Sequence, residues 1–234
     1  MNIFFLENFF NDNILGDNLI KFFLNDKQNQ NSLFLYSKNF NKSDSFINKE
    51  AFYLKELQII KNHLDLDLYL KDDNIFIFNT DFSDEYKEFG ENYIDKVVLK
   101  LNEIFEITKN LCVKLIENRQ KASFYFFTVN PTIYKAIDFP VAPIFDEAIH
   151  SFIKSMAKEM TSFDIYFYGI CLDPIFEMLN IEQIKSYRKI MSIYSLRKAP
   201  TKINDLLNTI QIFFKNRTKL FSGNIYNIGD GMSF

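Results

Sequence analysis

Metal binding, thiol chemistry and proton transfer each need particular side chains at particular intervals, and this sequence holds few of them. His63 and His150 are its two histidines, and neither has a partner at a recognised ligand spacing. A site built on several imidazoles is excluded, no metal site is expected, and both histidines read as structural. Cys112 and Cys171 lie far apart in apolar or amphipathic runs and read as buried thiols of a reducing, cytoplasmic compartment. There are only 6 glycines. That leaves little material for a phosphate cradle, where backbone N–H groups approach the ligand closely and a Cβ obstructs.

The chain that must position any such groups has 234 residues, 47% of them hydrophobic and 24% charged. That is enough to bury one large core, and no low-complexity linker divides it, so residues 1–234 read as a single domain. Its 27 basic and 30 acidic residues give a net charge of −3, without the basic excess that holds a phosphate backbone, so nucleic acid is not an expected partner. Met1 to Phe10 is apolar but interrupted by Glu7 and Asn8 and has no basic leader. It reads as neither a signal peptide nor a span, and no membrane association is expected. The 28 Phe, with no Trp and many Asn, Lys and Ile, read first as codon bias.

Short apolar runs alternate with longer amphipathic ones. Strands are expected at Ile3–Leu6, Ser32–Tyr36, Ala51–Leu54, Asn74–Phe78, Ser123–Val129, Ile165–Ile170 and Gly223–Ile228. Helical periodicity covers Ile14–Leu24, Leu57–Leu70, Asn92–Asn118, Ile144–Met160, Ile181–Ile193 and Ile203–Phe214, with a proline-bearing loop (Pro131, Pro140, Pro143) before the fourth of these. Parallel neighbours need crossover helices, and burial on both faces explains continuous runs such as SFYFFTV. The expected architecture is therefore α/β, a Rossmann-like doubly wound sheet of about seven parallel strands with helices on both faces.

The closing segment LFSGNIYNIGDGMSF (Leu220 to Phe234), the helix FIKSMAKEM (Phe152 to Met160) and Asp173-Pro174-Ile175 after the sixth strand resemble the short-chain dehydrogenases/reductases. The greatest similarity is to the bacterial β-ketoacyl and enoyl carrier-protein reductases of fatty-acid synthesis. The resemblance implies a Ser at the end of the fifth strand, a Tyr that donates a proton as hydride arrives, and a Lys four residues later that lowers the phenol's pKa. An ungapped alignment on FIKSMAKEM puts these positions at Val129, Ala142 and Asp146. A methyl and an isopropyl carry no acidic proton, and a carboxylate has the wrong sign. The enoyl-reductase spacing puts the Tyr position at Phe139, again without a hydroxyl. Tyr134, beside Lys135, is the substitute acid that remains.

The nucleotide end implied by the resemblance is also eroded. In Glu7 to Gly16 only Gly16 survives of the glycine-rich turn, while Glu7 and Asp12 would repel phosphate. After the fourth strand Asn79 survives, and Asp81 replaces a glycine. Lys38 lies where a basic residue would meet the 2′-phosphate of NADP. Gly16, Lys38 and Asn79 are thus the residual cofactor-binding candidates. The expected function is that of a pseudoenzyme, with no cofactor, acting as a homo-oligomer (dimer or tetramer) or as a hetero-oligomer with an active paralogue. One alternative is a divergent NADPH- or NADH-dependent oxidoreductase using Tyr134. Another is a binding module whose apolar pocket is lined by Phe9, Phe10, Phe139 and Phe145.

Overall fold

The computed structural model describes residues 2–6, 32–36, 57–60, 70, 72–79, 84–90, 92–194 and 199–229. Seven strands form one sheet: β1 (Asn2–Leu6), β2 (Ser32–Tyr36), β3 (Leu57–Ile60), β4 (Asp73–Phe78), β5 (Lys121–Val129), β6 (Ile165–Leu172) and β7 (Ile225–Ile228). Their order is β3-β2-β1-β4-β5-β6-β7, and every neighbouring pair is parallel. The order reverses between β1 and β4, which makes the crevice beyond their carboxyl ends the topological switch point where doubly wound sheets hold ligands.

The register explains much of the phenylalanine. Phe4 pairs with Phe76, Phe76 with Phe124 and Phe124 with Phe167. Their rings stack at centroid spacings of 4.9, 4.6 and 4.7 Å. Phe78 and Phe126 form a second rung at 4.5 Å. Each such pair adds roughly 0.5–1.5 kcal/mol beyond its buried area.

Six helices are described: α1 (Glu85–Glu88), α2 (Tyr93–Glu117), α3 (Pro131–Ala136), α4 (Pro143–Met160), α5 (Ile181–Tyr194) and α6 (Ile203–Lys215). The phenylalanine face of the sheet packs against α2 and α4 through Leu111, Leu115, Ile149 and Ile153. The opposite face, with Ile75, Ile77, Tyr125 and Tyr168, packs against Leu206, Ile210 and Phe214 of α6. Helices therefore cover both faces, as the alternation of runs implies. No helix among the described residues is long and apolar enough to cross a membrane.

Two expectations need correction. Leu57–Ile60, read as the start of a helix, is the third strand, with Leu33 to Tyr36 of β2 pairing it residue for residue. The expected strand at Ala51–Leu54 and the helix at Ile14–Leu24 lie outside the described residues. A four-residue apolar run has no period of its own, and here the free edge of β2 decides its conformation. The proline-bearing loop also holds a turn and a half of helix, α3, with Pro131 at its first position, where a missing N–H costs nothing.

Candidate functional site

The carboxyl ends of β5 and β6 and the first turn of α4 meet in a small buried region. Val129 closes β5, and its N–H donates to Asp146 Oδ2 at 3.3 Å. Asp146 lies in the first turn of α4, only 1% exposed, and its own N–H donates to the Ala142 carbonyl at 2.9 Å. The Ala142 bond is the first backbone bond of the helix, whereas the Val129 bond joins the end of β5 to that turn, and both apolar residues are fully buried. Pro143 opens α4 without a donor of its own.

The free amides of that first turn are met from a distance. Glu85, buried in α1, accepts from Ile144 N–H through Oε2 at 2.8 Å and from Phe145 N–H through Oε1 at 3.0 Å. A carboxylate at a helix N-terminus satisfies otherwise orphaned donors and complements the helix dipole. No local sequence signal identifies this cap, because the partners are separated by 59 and 60 residues.

Tyr134 lies beside the same region but faces inward. It is fully buried, and its hydroxyl donates to the Asp173 carbonyl at 3.2 Å. Burial, then the negative charge of Asp173, pushes the phenol well above its ordinary value of 10.0. Lys135 turns the other way, with Nζ 4.1 Å from the centre of the Tyr86 ring. The two residues that the sequence sets side by side therefore share no site. Tyr134, Val129 and Val141 cluster with Phe139, whose ring centre is 5.0 Å from that of Tyr134. Phe9 and Phe10, expected to line a pocket with Phe139 and Phe145, lie outside the described residues, and Phe145 packs into the core between the sheet and α4.

Asp173, just past β6, is also buried. Its Oδ1 accepts from Asn130 Nδ2 at 3.1 Å, and its N–H donates to the Ile228 carbonyl at 3.1 Å. A Cβ built on Gly229 would lie 2.2 Å from Asp173 Cβ and 2.5 Å from its Cγ, so the glycine is required by close approach. Nearby, Thr128 Oγ1 lies 2.9 Å from His150 Nε2, and His150 Nδ1 lies 3.5 Å from Glu147 Oε1. Burial lowers the His150 pKa from 6.5, opposed by Glu147. Cys171 is free and buried, its thiol pushed up to about 12 by burial, and Cys112 likewise. Among the described residues no group of three or more His, Cys, Asp or Glu could hold a metal.

At the switch point Asn79 follows β4. It is 8% exposed, and neither Nδ2 nor Oδ1 has a hydrogen-bond partner among the described residues. Gly16 and Lys38, the other residual cofactor candidates, lie outside the described residues. A dinucleotide of the kind the resemblance implies would meet, at one end of the crevice, a buried amide without a hydrogen-bond partner among the described residues. At the reaction end the three family positions offer it two apolar side chains and a carboxylate.

Comparison with solved structures settles the architecture. A 4-hydroxyisoleucine dehydrogenase complexed with NADH superposes with a TM-score of 0.68 at 13% identity, covering 98% of this chain and 97% of that one. The fold is that of the short-chain dehydrogenases/reductases. A short-chain dehydrogenase from Leptospira borgpetersenii with bound NAD+ gives 0.69 at 15% identity over 98% and 91% of the two chains. A short-chain oxidoreductase from Pseudomonas aeruginosa, described as containing an atypical catalytic center, gives 0.68 at 11% identity over 99% and 97%. No protein-family model and no curated protein matches the sequence.

Proposed function

We propose that this is a non-catalytic protein with the short-chain dehydrogenase/reductase fold, acting through oligomer or partner contacts. One observation carries the reading. The positions that an ungapped alignment assigns to the resembled family's Ser, Tyr and Lys hold Val129, Ala142 and Asp146, and the Asp146 carboxylate is engaged in accepting the Val129 N–H. None of those three positions holds a phenol beside an ammonium, the pair that donates the proton in the resembled family as hydride arrives. Loss of the donor and of its activator, with the surrounding packing kept, is what a scaffold retained for its surface would show.

The test is a pair of measurements on the purified full chain. Titration with NADH and NADPH is expected to give no saturable binding, and incubation with an acetoacetyl or enoyl thioester no oxidation of nucleotide. Tight binding with turnover would overturn the reading.

A second reading draws on Asn79, whose buried amide, without a hydrogen-bond partner among the described residues, suits a polar ligand at the switch point. It makes the chain a divergent NADPH- or NADH-dependent oxidoreductase of the 3-oxoacyl or enoyl carrier-protein type with Tyr134 as acid. It requires nucleotide binding that Asn79→Ala weakens and turnover that Tyr134→Phe abolishes. The burial of Tyr134 and its bond to the Asp173 carbonyl weigh against it.

A further inference from the structure

The residues around the reaction end are closed off from solvent: Val129, Tyr134, Val141 and Ala142 are fully buried. Among the described residues, one short segment ties itself across this region at three points. Glu85 spans two amides of α4, Ile144 N–H and Phe145 N–H. The backbone N–H of Glu85 donates to the Val141 carbonyl at 3.1 Å, immediately before Ala142. Tyr86 then lies under Lys135 Nζ, which joins the same segment to α3. Asp84 caps this turn by accepting from Lys87 N–H at 3.3 Å, and the Lys87 ammonium pairs with it at 3.0 Å.

The segment's other side chains are poorly anchored. Tyr86, Lys87 and Phe89 are largely exposed and Asp84 is half-buried, so Glu85 is the one side chain of Asp84–Phe89 described as fully buried. A short segment held by one buried carboxylate, one backbone bond to Val141 and the ring contacts of Tyr86 with Lys135 and of Phe89 with Tyr93 is a local unit that can open without unfolding the sheet. Glu85 itself is an unusual anchor. A buried carboxylate bound by two amides is held firmly in place, and is costly to leave there unpaired.

From this geometry we infer that Asp84–Phe89 is a strap over the reaction end of the fold, held shut by the Glu85 carboxylate on the first turn of α4. Release of Glu85 frees Ile144 N–H and Phe145 N–H and uncovers the apolar cluster of Val129, Tyr134 and Val141. The inference concerns access to this region and holds whether or not nucleotide binds, so its failure and that of the non-catalytic reading are separate results.

Hydrogen exchange resolved to single amides tests it on the intact wild-type chain. The amides of Glu85, Ile144 and Phe145 are expected to exchange together, at least about tenfold faster than those of Phe124 and Phe126 in β5. Glu85→Ala is expected to speed exchange at Ile144 and Phe145 by about tenfold or more, to leave β5 unchanged and to raise the fluorescence of an apolar dye. Lys135→Ala, which removes only the outer contact, is expected to speed the same amides by about two- to fivefold. Exchange of the three amides only at the rate of β5 in the wild type overturns the strap, and so does an unaltered rate at Ile144 and Phe145 in Lys135→Ala. The wild-type and Lys135→Ala measurements decide the matter even where Glu85→Ala does not fold.

Discussion

At the scale of single residues, charge and burial decide what this site can do. Asp146 is engaged with the Val129 amide inside a region closed to solvent. Reinstating the ammonium that the resembled family carries would therefore place a cation opposite an N–H donor. Asp146→Lys is expected to destabilise the protein by about 3 kcal/mol or more and to restore no hydride transfer, read by urea unfolding and a nucleotide oxidation assay. Asp146→Asn keeps an acceptor for that N–H and is expected to cost roughly 1–2 kcal/mol.

His150 makes a second residue-scale prediction. Burial lowers its folded pKa below the ordinary 6.5, with Lys154 adding to the shift and Glu147 opposing it. In the unfolded chain the imidazole takes up a proton near 6.5, and the folded one does so only at lower pH. Its contribution to stability is fully present above 6.5 and is lost as the pH falls from there through the lower folded value. The urea midpoint is expected to be lower at pH 5 than at pH 7.5, and His150→Gln, which can still meet Thr128 Oγ1, is expected to narrow the difference. A gap of the same size in wild type and variant would remove His150 as its source.

At the scale of elements, the amphipathic helices and the strands with continuous apolar runs were legible because their periods are long enough to be unambiguous. Tyr93–Glu117 falls within one residue of the expected range at each end. Leu57–Ile60 was misread, since a four-residue run takes its conformation from the strand beside it. The neighbourhood of Val129, Ala142 and Asp146 was legible only through resemblance, and the Glu85 cap not at all, because nothing near Glu85 in sequence marks a helix that begins at Pro143. The junction of β6 with the end of β7 shows the same dependence on distant partners. Gly229→Ala places a methyl group against Asp173, whose Oδ1 is fixed by Asn130 and whose N–H is fixed by Ile228. It is expected to cost about 1–3 kcal/mol, measured as a lowered thermal midpoint. A midpoint within half a degree of wild type would show that Asp173 moves aside freely.

At the scale of the whole molecule, the surface that remains to be explained is apolar. Ile94, Val98 and Phe105 of α2 are exposed, and with half-buried Leu101 between them they recur at helical spacing on one face. The Phe105 ring centre is 4.5 Å from that of Phe152 on α4, where Phe152 and Met156 are also half-buried. The two helices thus share an apolar ridge, and burying it against its symmetry mate would match like surface to like, as a two-fold contact requires. Sedimentation of the full chain at micromolar concentration is expected to show a dimer or tetramer. Val98→Glu together with Phe105→Glu would then set carboxylates of one copy against those of the next. That variant is expected to sediment as a monomer, with circular dichroism unchanged because neither side chain belongs to the buried core. A wild-type monomer at that concentration would leave the ridge to a different protein, and the proposed function would then rest on a hetero-oligomer alone.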